Sequence, residues 1–292
     1  MALCTLCPRR CRADRASGER GICGQGNEIR IARAALHPYE EPCISGTRGS
    51  GTVFFVGCTL RCAFCQNRSI SREDTAGRTV TPRQLADLFL ELEAQGAHNI
   101  NLVTATHFTP AVVEALSLVR ARLSIPVVWN TSGYERVETL RMLSGLVDIY
   151  LPDFKYASSD TAARYSAAPD YPAVASAALS EMFRQTGACS FDENGMMQKG
   201  VLVRHLVLPA NRRDSMAVLE TLAALLPVGE IRLSLMSQYT PEFATDSPHR
   251  ELHRRLTAFE YDSVLQRAVE LGFDGYMQGR SSASARFTPS FE

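Results

Sequence analysis

No apolar run of about 18 residues, the length a membrane-crossing helix needs, occurs anywhere in the sequence. The opening Met1-Ala-Leu-Cys-Thr-Leu-Cys lacks the apolar stretch of a secretory signal. Charge of one sign is also missing: Lys plus Arg and Asp plus Glu both number 31, so nothing electrostatic points to nucleic acid or to an anionic membrane surface. Internal repeats and low-complexity tracts are absent as well. These absences lead us to expect a soluble cytoplasmic protein, with no nucleic-acid or membrane partner. Its 292 residues, 45% apolar, suffice for a full core in one large domain.

Cysteine, by contrast, is plentiful. There are nine, an odd number, and all but Cys189 lie in the first 65 residues. That crowding argues against a secreted disulfide scaffold and for metal ligation in a reducing compartment. The densest stretch is Cys58-Thr-Leu-Arg-Cys62-Ala-Phe-Cys65, which spaces three thiols as C-x3-C-x2-C directly after the apolar run Thr52 to Val56. It reads as a strand running into a loop able to wrap a small object. A 4Fe–4S cube normally takes four Cys thiolates. Three nearby ligands would leave one iron open to a small molecule, by the logic that makes an open zinc position catalytic. A zinc knuckle or a chance cluster of reduced cysteines are the competing readings of this spacing.

Upstream, Cys4, Cys7, Cys11 and Cys23 follow the spacing C-x2-C-x3-C-x11-C among arginines and turn-forming glycines. So short a piece has no obvious apolar core, which implies a lobe stapled by a metal. Zinc and an iron–sulfur cluster both fit four Cys. Cys43 reads as a buried free thiol, and Cys189 as a free cysteine in a polar loop over 187–199.

Glu28 to Arg33 alternates polar and apolar residues and predicts a surface strand, and 37–46 reads as a crossing loop. From Thr52 the pattern becomes strand, loop, helix, repeated, the mark of a parallel sheet. Strands are predicted at 52–56, 99–104, 125–129, 146–151, 201–208 and 231–236. Helices are predicted from Thr81-Pro82, where Leu85, Leu88, Phe89 and Leu92 keep helical spacing, and over 110–120, 135–144, 158–166, 171–186, 214–226 and 257–271. About six strand–helix units are too few for a closed eight-stranded barrel. The domain plan is therefore a Cys-rich metal-binding extension at 1–45, a barrel at 46–280 and an irregular tail at 281–292.

The Cys triplet, read with Gly46-Thr-Arg-Gly-Ser-Gly-Thr-Val-Phe-Phe before it and Gln66-Asn67 after it, resembles the radical S-adenosylmethionine (SAM) superfamily, in particular its pyruvate formate-lyase-activating-enzyme-like branch. The resemblance covers residues 43 to 277 and implies an α/β fold, a partial (β/α)6 TIM-type barrel. It also implies a 4Fe–4S cluster held by Cys58, Cys62 and Cys65, with SAM as cofactor. The chemistry would be reductive cleavage to methionine and a 5′-deoxyadenosyl radical that abstracts hydrogen from a substrate. The thiolates would act as ligands, and no side chain is assigned a catalytic role. An electron donor such as flavodoxin or ferredoxin is implied, as is a separate protein substrate carrying a glycyl radical; a metabolite or another peptide is the alternative, and a non-catalytic metal scaffold a third.

Parallel barrels carry their functional groups at the C-terminal ends of the strands. There the chain has Thr104-Ala-Thr106-His107 where activating enzymes hold SAM's amino group with a Gly-Gly-Glu type segment. Asn130-Thr131-Ser-Gly133 resembles their Asp-Thr-Asn-Gly, and Asp153-Phe-Lys155 their Asp-Ile-Lys. Arg204-His205 resembles a strand whose guanidinium meets SAM, a role suited to a planar fork. Gln238 or Tyr239 takes the place of a SAM-binding His. The resemblance thus implies a SAM rim of Thr104, Thr106, Asn130, Thr131, Asp153, Lys155, Arg204 and Gln238, with His107 as a pocket donor.

Overall fold

Short β-branched runs alternate with capped amphipathic helices, and in the structure, a computed structural model, this alternation becomes a mostly parallel sheet backed by helices. Residues 3–72 and 75–278 are described; the tail expected at 281–292 lies outside them. The elements are β1 (Ile29–His37), α1 (Pro42–Ser45), β2 (Ser50–Phe55), β3 (Arg78–Val80), α2 (Pro82–Ala94), β4 (Ile100–Val103), α3 (Thr109–Val119) and β5 (Val127–Thr131). There follow α4 (Val137–Arg141), β6 (Ile149–Pro152), α5 (Ser159–Ser166), α6 (Tyr171–Thr186), β7 (Ser190–Phe191), β8 (Met197–Leu206), α7 (Arg212–Leu225), β9 (Arg232–Met236), α8 (Ala258–Glu270) and β10 (Gly275–Met277).

Strands β2, β4, β5, β6, β8, β9 and β10 pair in parallel in that order. β1 runs antiparallel along β2, and β3 along β1, so the sheet stops there instead of closing. This is the partial TIM-type barrel expected, with one parallel strand more than the six predicted. β10 is only three residues long and too short to show a period.

Local signals hold up because tertiary contacts agree with them. Thr81 caps α2 and exchanges hydrogen bonds with Gln84 in a capping box, and Thr257 does the same with Glu260 at α8. On α2, Leu85, Phe89 and Leu92 are buried while Leu88 is half-buried. Each such fully buried side chain contributes roughly 1.5–3 kcal/mol. Two loops differ from expectation. Segment 187–199 contains β7, which pairs back onto β8. The crossing loop at 37–46 continues β1 to His37 and then folds into α1.

That short helix closes the barrel interior: Cys43 and Ile44 are buried among Val128, Ile149, Leu151, Met197 and Leu202. Cys43 is thus the buried free thiol expected. Among the described residues no helix is long and apolar enough to cross a membrane.

Candidate metal and cofactor site

The loop after β2 carries the Cys triplet over the C-terminal ends of the parallel strands. All three thiols are free and half-buried. Each sulfur has a hydrogen-bonding neighbour: the Leu60 N–H donates to Cys58 Sγ at 3.4 Å, the Ser166 hydroxyl to Cys62 Sγ at 3.1 Å, and the Ser71 hydroxyl lies 3.7 Å from Cys65 Sγ. Burial pushes the Cys58 thiol up from its ordinary pKa, and the neighbouring Cys65 and Cys62 push it further. Leu60 N–H and the Lys155 ammonium pull the other way.

Below the triplet lies a cavity of about 430 Å³, in the range of small-molecule sites. Its lining joins Cys58, Cys62 and Cys65 to Thr104, Asn130, Thr131, Asp153, Lys155, Arg204 and Gln238. Asp153 and Lys155 meet at 2.6 Å. Burial opposes the ammonium charge of Lys155, but Asp153 and Cys62 outweigh it and hold its pKa above the ordinary lysine value. Lys155 thus keeps its charge in the cavity that the thiols line.

Residues 52–179 match the model of the radical SAM superfamily. Over this stretch the chain is similar to that superfamily. Over 281 residues the chain is 29% identical to an uncharacterized protein of Methanocaldococcus jannaschii, covering 93% of this chain and 75% of that one. In fold it is similar to a radical SAM methyltransferase from Sphaerobacter thermophilus, with a TM-score of 0.53 and 17% identity over 81% of this chain and 69% of that one. A domain of pyruvate-formate lyase-activating enzyme from Bacteroides vulgatus aligns at a TM-score of 0.38 and 13% identity, covering 68% and 91%, too loose to carry an argument.

The radical SAM superfamily implies a 4Fe–4S cluster and SAM, and the residues present fit them. Three thiols open on one cavity, and the hydrogen bonds and the Lys155 charge at their sulfurs suit a negatively charged cluster. Among the described residues no group of three or more His, Cys, Asp or Glu side chains is arranged to hold a single metal ion. A cube asks for no such arrangement, since its thiolates sit on separate irons.

Three expected SAM contacts are otherwise engaged. Thr106 is 1% exposed and outside the cavity lining; its hydroxyl donates to Glu135 Oε1 at 2.6 Å. Thr131 reaches the cavity wall, but its hydroxyl donates to the same oxygen at 2.5 Å, as does the Trp129 indole N–H at 3.2 Å. Arg204 lies in the cavity lining with Nε on Glu41 at 2.8 Å and Nη2 on both Glu40 and Glu41. Its guanidinium is therefore committed to two carboxylates. Glu40 also accepts from Asn101 at 2.8 Å and Asn130 at 3.4 Å, making a polar layer between the cavity and α1.

His107 corrects an expectation too. It is buried, with Nε2 2.8 Å from the Val56 carbonyl, and it does not line the cavity. His205 is a buried core histidine, with Nδ1 2.7 Å from the Phe154 carbonyl. Tyr239 is buried with its hydroxyl on the Leu252 carbonyl, which leaves Gln238 as the residue of that pair facing the cavity.

Thr104 takes a left-handed backbone, φ 61°, directly after β4. The turn is kept without the residue that adopts it freely, at a cost of about 1–2 kcal/mol. Glu40, Glu41, Glu135, Ser71 and Ser166 are site residues that the sequence did not announce. The pair Glu40-Glu41, two adjacent acids ahead of a proline, was the one available signal.

Proposed function

We propose that this chain reductively cleaves SAM and uses the resulting radical to take hydrogen from a substrate. The observation that carries the reading is that the three thiols and the polar strand ends line one cavity. When bound, a 4Fe–4S cluster there supplies the electron that splits SAM into methionine and a 5′-deoxyadenosyl radical.

Cys58, Cys62 and Cys65 would hold that cluster. Around it, Asp153 accepts hydrogen bonds, Lys155 donates them, and Asn130 and Gln238 do both, so the wall offers partners for an ammonium, a carboxylate and ribose hydroxyls. Phe54, Phe64, Leu206 and Met236 supply apolar surface that keeps water from a reactive radical. The electron would come from a carrier such as flavodoxin or ferredoxin.

The finer reading is activation of a separate protein by forming a glycyl radical on it. Its support is the resemblance of Gly46 to Phe55, Gln66-Asn67, Asn130 to Gly133 and Asp153 to Lys155 to activating enzymes. The capture of Thr106 and Thr131 by Glu135 favours instead a metabolite or another peptide, since it departs from that pattern at two points of the rim.

Anaerobic reconstitution with iron and sulfide, then dithionite and SAM, should yield 5′-deoxyadenosine. Its absence from a fully iron-loaded sample would sink the proposal. A glycyl-radical signal by electron paramagnetic resonance on an added glycyl radical enzyme would select the finer reading.

A further inference from the structure

We propose that Cys4, Cys7, Cys11 and Cys23 hold a second iron–sulfur cluster, which relays electrons from an external low-potential carrier protein to the cluster site at Cys58, Cys62 and Cys65. The relay role rests on the SAM-cleaving reading above; the site itself does not.

The four thiols converge although they span 20 residues of chain in a lobe with almost no core. The Cys4 N–H bonds to the Ala13 carbonyl at 3.0 Å, laying the segments of Cys4 and Cys11 together, and the Gly21 N–H bonds to the Gln25 carbonyl at 3.1 Å, turning the chain about Cys23. A Cβ at Gly21 would stand 3.0 Å from Cys11 Sγ and 3.5 Å from Cys23 Sγ, so those two sulfurs face one small space. The backbone is wound tightly about them: Arg10 N–H bonds to the Cys7 carbonyl, Arg12 N–H to the Cys4 carbonyl, and Arg10 and Arg12 both take positive φ, 41° and 58°. Non-glycine residues keep such angles only when their surroundings impose them, and a centre bonded to all four sulfurs would reinforce them.

The cavity that Cys23 shares with Cys58, Cys62 and Cys65 favours a redox cluster over a closed zinc site. Arg15 donates to Cys23 Sγ at 3.2 Å, which stabilises added negative charge on that sulfur.

Position supplies the function. Cys23 lines, with Cys58, Cys62 and Cys65, a cavity of about 420 Å³. The chain passes so close that a Cβ at Gly57, the residue before Cys58, would lie 2.6 Å from the Cys23 carbonyl oxygen. Arg9, between Cys7 and Cys11, grips the triplet loop through the Thr59 carbonyl at 3.0 Å. It also holds the end of α5 through the carbonyls of Ser166, at 2.9 Å, and Ala167. The two sulfur sets therefore sit side by side. One electron leaves the reduced carrier, reduces the N-terminal cluster and passes to the triplet site, which returns the relay to its starting state; no bond is made or broken in the lobe.

The test is anaerobic reconstitution of a Cys58→Ala/Cys62→Ala/Cys65→Ala variant. About four iron and four sulfide per chain should remain, with a reducible cluster seen by electron paramagnetic resonance. Zinc alone, or no metal, overturns the proposal. Should that variant fail to fold, the intact protein decides: about eight iron per chain supports a second cube and about four overturns it. None of these readouts involves SAM, so failure of SAM cleavage leaves the site standing. For the relay, Arg15→Leu should lower the potential of the N-terminal cluster. It should also slow reduction of the triplet site by a reduced ferredoxin or flavodoxin roughly tenfold, leaving reduction by dithionite unchanged; equal rates with the carrier overturn the relay.

Discussion

The hydroxyl of Ser166, at the end of α5, donates to the sulfur of Cys62 at 3.1 Å across 104 residues of chain. Hydrogen bonds to cluster sulfurs favour the reduced, more negative state. Such a bond is worth roughly 0.5–1.5 kcal/mol, and about 59 mV corresponds to a tenfold change for one electron. Ser166→Ala should therefore lower the potential of a cluster at this site by tens of millivolts, with Ser166→Thr closer to wild type. Redox titration followed by electron paramagnetic resonance checks it, and an unmoved potential would show that the bond is idle.

Arg204 pairs with both Glu40 and Glu41 in a buried layer. Burial pushes the Glu41 pKa up, but the Arg204 charge overcomes it and leaves it below the ordinary value. Removing one partner of a buried pair typically costs about 3–5 kcal/mol, whereas replacing all partners with apolar groups is often near neutral. Arg204→Ala should show that loss in urea unfolding without SAM present. Replacing Arg204 by Met together with Glu40→Gln and Glu41→Gln should recover most of it. Were Arg204 mainly a SAM ligand, the single variant would unfold like wild type.

Two glycines with similar backbone angles should respond differently to Ala. Gly133 has φ 76°, and a Cβ there would lie 2.2 Å from the Asp153 carbonyl oxygen. Gly145 has φ 79° with nothing within 4 Å. Gly145→Ala should cost about 1–2 kcal/mol for its left-handed backbone alone. Gly133→Ala must also push β5 from β6 at the cavity wall and should cost several kcal/mol more. Equal midpoints in denaturant would refute the close approach.

His205 carries a pH prediction. Burial, reinforced by Lys155, pushes its pKa down from 6.5 to about 4 against the Phe154 hydrogen bond. Between those values the unfolded chain takes up a proton that the folded chain refuses. The stability it contributes is thus fully present above about pH 6.5 and falls as pH drops toward 4. His205→Gln should flatten the decline over that window by up to about 1.4 kcal/mol per pH unit. Unfolding free energies measured across pH 4–7 decide it, and an unchanged slope would mean that His205 titrates normally.

Much of the fold was legible in the residues. The helix over α6 and the caps at Thr81 and Thr257 are local, because a capping hydrogen bond closes within a few residues. The alternation of strands and helices made a parallel sheet the economical outcome. β10 and the β7 pairing were not legible, since strands of two or three residues carry no period and exist only where a neighbour offers a ladder.

By itself, the sequence determined the thiol triplet: C-x3-C-x2-C places three thiols on one loop whatever the rest of the chain does, and β2 aims that loop at the strand ends. Only the tertiary structure decided how the rim is used. Thr106, Thr131 and Arg204 stand at strand ends where a cofactor could meet them, yet Glu135, Glu40 and Glu41 arrive from elsewhere in the barrel and take up their donors. The reason is the cost of burying a carboxylate without partners. That cost depends on which groups the fold brings within hydrogen-bond reach, and no local pattern records it.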